Sequence, residues 1–208
     1  MKVLIIDDHA VVRKGLIQIL LDEYPSALVT EVGDSQEALG VVRKQTWDII
    51  LLDISMPGRN GVDVLKQIRA EGIKVPILML SMHPESQYAV RVLKAGASGF
   101  VNKQSATEEL LTAVNKALAG KKYITPSVAE KLIDTLGGDS DKQSHEQLSD
   151  REMQVLLLIA SGKTVSDIAD EMSLSVSTIS TYRVRILEKL SLNNNAELTR
   201  YVLDNNLS

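Results

Sequence analysis

The stretch IILLDISMPGRNG, residues 49–61, decides the fold of the first half of the chain. Its four apolar residues, 49–52, predict a strand that is buried on both faces, as in a parallel sheet. Asp53 follows this strand directly, and the proline, glycines and asparagine after it predict a loop. Because open parallel sheets bind ligands at the carboxyl ends of their strands, we expect Asp53 at such an edge.

Strand and helix patterns alternate on both sides of this stretch, throughout residues 1–120. This alternation predicts an α/β domain with a five-stranded, doubly wound parallel sheet. Strands are expected at 3–6, 27–32, 49–52, 75–80 and 99–101, and helices at about 11–22, 34–45, 62–71, 85–94 and 106–118.

Residues 121–147 predict a linker that follows this domain. A short helix is expected from Thr125-Pro126 to about residue 135, because threonine caps helices and proline suits their first turn. The polar run GGDSDKQSHEQ, residues 137–147, has no large apolar side chain and predicts a flexible segment.

Residues 148–208 carry only helical patterns and predict a second, all-α domain of four helices. Ser149, Thr164 and Ser175 are suitable caps for the first three. The second and third helices follow each other with the spacing of a helix-turn-helix. A last helix is expected at about 196–204.

Composition excludes several kinds of site. The chain has 208 residues, no cysteine and 3 histidines, which excludes disulfides, thiolate metal sites and cysteine nucleophiles. No apolar run approaches the roughly 18 residues of a membrane span, so we expect a cytoplasmic protein without a membrane partner. With 23 basic against 27 acidic side chains, net charge alone does not indicate nucleic acid.

Charged and polar side chains follow four of the predicted strands, at the edge where Asp53 is expected. They are Asp7 and Asp8 after the first strand, Ser81 after the fourth and Lys103 after the fifth. Three converging carboxylates raise one another's pKa values, and a hard divalent ion such as Mg²⁺ relieves their repulsion. With Lys103 as a second positive charge, the set is suited to neutralise a phosphoryl group at a carboxylate nucleophile.

The motifs at these strand ends resemble the receiver domain of two-component response regulators, over essentially all of residues 1–120. They are IIDDH (5–9), LLDISMPGRNG (51–61), the Leu80-Ser81 pair and AGASGFVNK (95–103). The resemblance implies that a sensor histidine kinase phosphorylates Asp53. It also implies a flavodoxin-like sheet and a dependence on Mg²⁺.

The receiver resemblance also implies roles for the neighbouring residues. Asp8, Asp53 and the backbone carbonyl of Ser55 would bind Mg²⁺, and Asp7 would act through a water molecule. Lys103 and Ser81 would contact the phosphoryl oxygens. Phe100 occupies the aromatic switch position, while Ser55 and His83 fall where the family tunes hydrolysis of the acyl phosphate.

The segments LSDREMQVLLLIASGKTVSDIADEMSLSVSTISTYRVRILEKL (148–190) and NNNAELTRYVLDNNL (193–207) resemble the LuxR-type helix-turn-helix, over about residues 146–207. Together with the receiver and linker, they imply a response regulator of the NarL/LuxR type. Such a protein is a transcription regulator that binds a double-stranded DNA operator, and not a conventional enzyme. The family resemblance further implies homodimers that pair through the last helix.

The third helix of this domain, about 176–190, is the one that a helix-turn-helix places in the major groove. At 100° per residue, Ile179, Ile186 and Leu190 face the core. The residues expected to face DNA are Ser177, Thr178, Ser180, Thr181, Val184 and Arg185, with Lys163 and Lys189 as further phosphate contacts. Arg183 lies nearer the core and is expected either in an internal ion pair or at DNA.

Two other functions are compatible with the same residues. The acidic balance and the lysine-poor third helix would also suit a phosphorylation switch whose output is protein binding. An aspartyl-nucleophile phosphatase is the other alternative. Those enzymes carry the general acid two residues after a nucleophile on the first strand, whereas Asp7 and Asp8 are adjacent and Asp53 follows the third strand.

Overall fold

The computed structural model describes residues 1–57, 59–82, 85–136, 144–205 and 207. The chain forms two compact units, Met1–Lys131 and Leu132–Ser208. The first unit therefore continues past residue 120, into the segment that the sequence assigned to a linker. None of the helices in the described part of the chain is both long enough and apolar enough to cross a membrane.

The first unit contains a five-stranded sheet in which every pairing is parallel and the strand order is 2-1-3-4-5. This order confirms the predicted α/β, doubly wound class. The strands are β1 (Lys2–Ile6), β2 (Leu28–Val32), β3 (Ile49–Asp53), β4 (Ile77–Ser81) and β5 (Gly99–Asn102).

Among the described residues, six α-helices begin in the first unit and four form the second. In the first they are α1 (Ala10–Glu23), α2 (Ser35–Lys44), α3 (Gly61–Ala70), α4 (Glu85–Lys94), α5 (Ala106–Leu118) and α6 (Pro126–Leu136). In the second they are α7 (Asp150–Ala160), α8 (Val165–Met172), α9 (Val176–Leu190) and α10 (Asn195–Asp204), preceded by a 3₁₀ helix, Ser144–Gln147.

The core of the first unit follows from the alternation of side chains along the strands. Val3, Ile5 and Leu51 are among the strand residues that pack with α1 and α5 in one buried cluster. The intervening residues, such as Leu4 and Leu52, are fully buried as well. A sheet covered on both faces leaves only its strand ends open to ligands.

Gly61, the first residue of α3, brings the chain back to the end of β3, where its backbone N–H donates to the Ile54 carbonyl at 2.9 Å. A Cβ at this position would lie 1.9 Å from the carbonyl oxygen of Asp53, far inside van der Waals contact. Asn60 before it caps α3, because its side chain accepts a hydrogen bond from Val62 N at 2.8 Å. Gly61 is therefore the residue that lets α3 begin directly against the backbone of Asp53.

The predicted caps of the second unit are confirmed. Ser149 and Thr164 each form a full capping box, with Glu152 and Asp167 respectively. Ser175 caps α9 by accepting a hydrogen bond from Thr178 N. These caps set where α7, α8 and α9 begin, and so fix the helix-turn-helix spacing.

The segment predicted to be flexible, 137–147, ends in a short helix. Residues 144–147 form the 3₁₀ helix, because His145 is tied to α10. Its backbone N–H donates to the Tyr201 hydroxyl at 3.2 Å, and its Nδ1 lies 3.0 Å from the same oxygen. Residues 137–143 lie outside the described part of the chain, as does His83.

Trp47 precedes β3 and is 9% exposed. Its indole Nε1 is buried, and no hydrogen-bond partner is found for it among the described residues. It is the only tryptophan of the chain.

Candidate functional site

An acidic pocket lies at the carboxyl ends of β1, β3 and β5. It is formed by Asp7, Asp8, His9, Asp53 and Lys103, four of which the sequence predicted to lie together. The Lys103 Nζ is 2.7 Å from Asp7 Oδ2 and 2.9 Å from Asp53 Oδ2. Asp7 and Asp53 have fully buried side chains, and that of Lys103 is 3% exposed.

The parallel register explains why these side chains meet. Asp53 pairs with Leu80 of β4, and Ser81 pairs with Asn102 of β5. The Lys103 backbone N–H then donates to the Ser81 carbonyl at 2.8 Å, which continues the pairing beyond β5. Lys103 is thereby carried over the end of the sheet, towards Asp53.

His9 belongs to the acidic pocket but was not predicted from the sequence. Its Nδ1 lies 3.0 Å from Asp8 Oδ1 and 3.3 Å from Asp7 Oδ1, and its backbone N–H donates to Asp7 Oδ1 at 2.8 Å. Its position directly after two pocket aspartates was the available signal. As a half-exposed imidazole it contributes a nitrogen donor at the rim of the pocket.

Burial and charge act in opposite directions on Asp53. Burial raises the pKa of its carboxyl group, attraction to Lys103 lowers it, and repulsion by Asp7 raises it again. Hydrogen bonds from Lys103 and from the Ser55 backbone lower it further, and the resulting pKa is about 6, above the ordinary 3.8. Near neutral pH this carboxylate is therefore mostly ionised and able to act as a nucleophile.

The donor set of the pocket fits a hard divalent ion. Single ligand atoms of Asp7, Asp8, His9 and Asp53 all lie within 4.8 Å of one another. One ammonium group faces three carboxylates there, which leaves a local excess of negative charge that a Mg²⁺ ion would neutralise. Carboxylate oxygens are the ligands this ion prefers, so the residues present are suitable for it.

The remaining predicted residues lie on the strands next to the pocket or shortly after Asp53. Ser81 is fully buried at the end of β4, and Phe100 is buried on β5. The Ser55 backbone N–H donates to Asp53 Oδ1 at 3.3 Å. The Ser55 hydroxyl oxygen is buried, and no hydrogen-bond partner is found for it among the described residues. A polar ligand in the pocket would offer it a partner.

We expect the unfolding free energy of the Mg²⁺-free protein to decrease as the pH rises from about 4 to about 6. Over this interval the folded chain holds a proton on Asp53, with its pKa of about 6, that the unfolded chain releases near 3.8. At about 1.4 kcal/mol per pKa unit, the loss in unfolding free energy is roughly 3 kcal/mol. Urea denaturation in a chelator at both ends of this range measures it.

The variant Asp53→Asn isolates the part of this pH dependence that is due to Asp53. It lacks the titrating group but keeps the other carboxylates. Its loss of stability with rising pH should be smaller than that of wild type, and Mg²⁺ should stabilise wild type more at pH 7 than at pH 5. An identical pH dependence in both proteins would show that the Asp53 carboxyl group does not titrate as described.

A second candidate surface lies on α9. Ser177, Ser180, Thr181, Val184 and Arg185 are exposed, and Thr178 is half-buried. We call these six residues, which the sequence predicts to face DNA, the DNA-facing set. Most of them line a shallow depression together with Tyr182, which the sequence interpretation did not select. Its position one turn after Thr178 was the signal that could have identified it.

The side chains of the DNA-facing set differ in which hydrogen-bond donors and acceptors they can still offer to a ligand. The Ser180 hydroxyl donates to the Val176 carbonyl at 2.9 Å, and the Thr181 hydroxyl donates to the Ser177 carbonyl at 2.9 Å. Both oxygens remain able to accept hydrogen bonds from outside. Arg185 has no hydrogen-bond or ion-pair partner among the described residues, so its five donors stay available.

The two lysines predicted at DNA phosphates have intramolecular partners. Lys163 pairs with Glu171 of α8. Lys189 contacts the buried Glu152 carboxylate at 2.6 Å and the Gln147 carbonyl at 3.3 Å. Burial raises the pKa of Glu152, but the hydrogen bonds from Lys189 and Ser149 outweigh this and lower it. Lys189 therefore serves first to neutralise a buried charge.

Arg183 was predicted either to form an internal ion pair or to contact DNA. It makes an internal contact, but with an uncharged partner. Its Nε donates to Asn195 Oδ1 at 2.6 Å, which joins α9 to the start of α10. A hydrogen bond therefore takes the place of the ion pair considered from the sequence.

Two models of known protein families match the chain, one in each unit. A family model for the response regulator receiver domain matches residues 3–115. A second model, for bacterial regulatory proteins of the luxR family, matches residues 146–202. The acidic pocket lies within the first match, and α9 lies within the second.

The chain is similar to several regulators along nearly its whole length. It is 32% identical over 206 residues to the response regulator UvrY of Escherichia coli strain K12, covering 99% of this chain and 94% of UvrY. It is 32% identical over 198 residues to the response regulator GacA of Pseudomonas aeruginosa, covering 95% and 92%.

A solved structure shows the same similarity. RcsB from Salmonella enterica serovar Typhimurium, bound to promoter rprA in the presence of phosphomimetic BeF3−, is 30% identical with a TM-score of 0.64, covering 97% of this chain and 98% of RcsB. The family models and these relatives agree on one class, of regulators and not of conventional enzymes. The chain therefore belongs to the response regulators of the NarL/LuxR type, with a receiver domain followed by a LuxR-family domain.

Proposed function

We propose that the protein is a DNA-binding transcription regulator that a sensor histidine kinase controls by Mg²⁺-dependent phosphorylation of Asp53. The observation that carries the proposal is the position of Asp53, a buried carboxylate at the end of β3, 2.9 Å from the Lys103 ammonium group. Such a group is both a nucleophile and the site of a new negative charge that Lys103 can neutralise.

The proposed reaction transfers a phosphoryl group from a phosphohistidine to Asp53. An oxygen of the carboxylate forms the new O–P bond while the N–P bond breaks, and the imidazole leaves with the bonding electron pair. Lys103, now between Asp7 and Asp53, would turn to the phosphoryl oxygens. A Mg²⁺ ion would be held by Asp8, Asp53 and the Ser55 carbonyl, with Asp7 through water, and would neutralise charge on the transferring group.

Ser81 and Phe100 are the proposed switch residues. A shift of a conformational equilibrium from 1:99 to 99:1 requires about 5.5 kcal/mol. One charge-assisted hydrogen bond from the Ser81 hydroxyl to the phosphoryl group supplies about 1.5–3 kcal/mol. The remainder must come from Lys103, the metal ion, repacking of Phe100 and dimerisation. Phosphorylation thus acts through linked equilibria.

The proposed DNA contact is made by α9, lying in the major groove. RcsB, a chain of the same type, has been solved bound to promoter rprA, which supports DNA as the ligand of the second unit. Arg185 is the proposed phosphate contact, the hydroxyl groups serve phosphates or bases, and Val184 is placed to meet a thymine methyl group. Lys163 and Lys189 would contribute only after releasing Glu171 and Glu152.

A homodimer is the proposed form on DNA. With Lys163, Arg183 and Lys189 engaged inside the fold, one subunit offers few positive charges, and a second copy doubles them. The Leu203 side chain on α10 is 59% exposed and is a candidate for the dimer contact. Phosphorylation of Asp53 would then control DNA binding by favouring this dimer.

The experiment that tests the function is selection of DNA sites from a random pool by the full chain, with and without beryllofluoride as phosphoryl mimic. Enrichment of a two-fold or tandem site that requires the mimic is the expected result. Absence of any salt-sensitive DNA binding in both states would overturn the DNA-binding proposal and favour a protein-binding output instead.

We expect Arg185→Ala to weaken binding to all DNA sequences, about tenfold, because it removes one phosphate contact per subunit. The slope of the logarithm of affinity against the logarithm of salt concentration should decrease by about 1 per subunit. Fluorescence anisotropy over a salt series measures both quantities.

The control is Lys14→Ala, which removes the same charge from an exposed position on α1 of the first unit. It should leave affinity and slope unchanged. A sequence-selective loss with Arg185→Ala, at unchanged slope, would instead identify Arg185 as a base-contacting residue.

A further inference from the structure

The chain that follows α5 is fixed to the sheet by Tyr123. Its backbone N–H donates to the Ser98 carbonyl at 2.8 Å, and it forms an isolated parallel bridge with Gly99 of β5. Its hydroxyl donates to Glu109 Oε2 of α5 at 3.0 Å, and the Lys116 Nζ lies 5.4 Å from its ring centre. Tyr123 also belongs to the buried apolar cluster under the sheet, so residue 123 is held in place by several elements of the first unit.

Two residues further along, Thr125 makes a contact of another kind. Its hydroxyl oxygen lies 2.7 Å from both carboxylate oxygens of Glu85. The same oxygen lies 3.4 Å from Val128 N, at the start of α6. Thr125 thus joins the first turn of α6 to the first residue of α4, across forty residues of sequence.

The Glu85 carboxylate is well placed to hold both helices. It belongs to the first turn of α4 and reaches the residue that precedes α6, so it lies near the amino ends of two helices. The partial positive charge at each amino end favours a carboxylate there. The contact is half-buried, which limits its screening by solvent.

Each of the two residues in this contact is close in sequence to a functional part of the chain. Glu85 follows Ser81, the proposed phosphoryl-contacting residue, by four positions in the sequence. α6 is the helix within which the chain passes from the first unit to the second, since the boundary falls between Lys131 and Leu132. A displacement of the start of α4 would therefore reach the start of α6 through one hydrogen bond.

We propose that the Glu85–Thr125 hydrogen bond is a latch that holds the first turn of α6 to α4 while Asp53 is unphosphorylated. Movement of Ser81 towards the phosphoryl group displaces Glu85, the hydrogen bond breaks, and the first turn of α6 loosens. Tyr123 stays on β5, so the change is confined to the chain beyond it. This inference rests on the proposed function, because it takes phosphorylation of Asp53 as its trigger.

The test is hydrogen–deuterium exchange of the backbone amides at 128–131 in the full chain, with and without beryllofluoride. In wild type we expect the mimic to slow exchange around Asp53 and to speed exchange at 128–131. Thr125→Val, which keeps the shape of the side chain but loses the hydroxyl, should show exchange about tenfold faster without the mimic, and little further change with it. Thr125→Ser keeps the hydroxyl and should behave as wild type.

Glu85→Ala separates the latch from the capping role of Thr125, because it leaves the threonine hydroxyl in place. It should also speed exchange at 128–131, but by less than Thr125→Val, which additionally loses the hydrogen bond from Val128 N. The double variant should exchange like Thr125→Val, as expected for two partners in one interaction. Additive effects would refute the latch. So would an equal response of wild type and Thr125→Val to the mimic. Failure of the mimic to slow exchange around Asp53 in wild type would instead refute the proposed function, which the latch requires.

Discussion

Asp53→Asn is expected to abolish phosphoryl incorporation from a small acyl phosphate donor, a loss of more than about 100-fold, because it removes the nucleophile itself. The amide cannot attack phosphorus, although it fits the same buried position. Lys103 keeps Asp7 as a partner in the variant, so the fold should be retained. Intact-protein mass spectrometry after incubation with donor and Mg²⁺ measures the incorporation.

Asp48→Asn is the matched control, because Asp48 lies just before the opposite end of the same strand. It is exposed, and its Oδ2 accepts a hydrogen bond from the Lys2 backbone N–H at 2.7 Å, away from the acidic pocket. Incorporation should be unchanged in this variant. Full incorporation into Asp53→Asn would mean that another group of the chain is the acceptor.

Gly61→Ala is expected to lower the unfolding free energy by about 3–5 kcal/mol, which places it among the largest effects of single substitutions. The added Cβ would lie 1.9 Å from the Asp53 carbonyl oxygen and 3.1 Å from the Ile54 Cα, and both are backbone atoms that cannot rotate away. The turn must open, and Asp53 must move with it. Urea denaturation measures the loss, and Mg²⁺ affinity should fall as well.

Gly40→Ala provides the comparison, since Gly40 lies within α2 and a Cβ there meets no atom within 4 Å. Alanine at an open helical position should stabilise the protein by up to about 1 kcal/mol. Opposite signs for the two substitutions are the expected result. A Gly61→Ala variant as stable as wild type would show that the turn after β3 can relax.

The strands and helices of the first unit could be predicted because each signal is local. The apolar run 49–52 and the end of that strand at Asp53 follow from the sequence alone, and α4 and α5 have their predicted bounds. The helix expected from about residue 34 begins with Asp34 as its cap, since the Asp34 side chain accepts a hydrogen bond from Gln36 N. Caps are encoded within a few residues, whereas the choice among neighbouring N–H groups depends on local backbone geometry.

The acidic pocket could be predicted in outline, because parallel strands bring their carboxyl ends to one edge. What the sequence could not supply were distances and pairings. It did not indicate that Lys103 would bridge Asp7 and Asp53, or that His9 would turn towards Asp8. Such contacts depend on side-chain conformation at the ends of different strands, which no periodicity records.

In the second unit, the exposure of residues could be predicted from the sequence, but the partners of charged side chains could not. Positions on α9 follow from the helical repeat, so the exposure of Val184 and Arg185 was predictable. The partners of Lys163 and Lys189 were not, because Glu171 and Glu152 belong to other helices. Whether a lysine is available to DNA depends on tertiary contacts, and counting basic residues along the sequence overlooks them.

The single, buried Trp47 gives the protein an intrinsic optical reporter for one half of the molecule. Its emission will follow melting of the parallel sheet, whereas the helical unit contributes only tyrosine signals from residues 182 and 201. Comparing tryptophan emission with far-ultraviolet circular dichroism during a denaturation experiment should therefore reveal whether the two units unfold in one transition or in two.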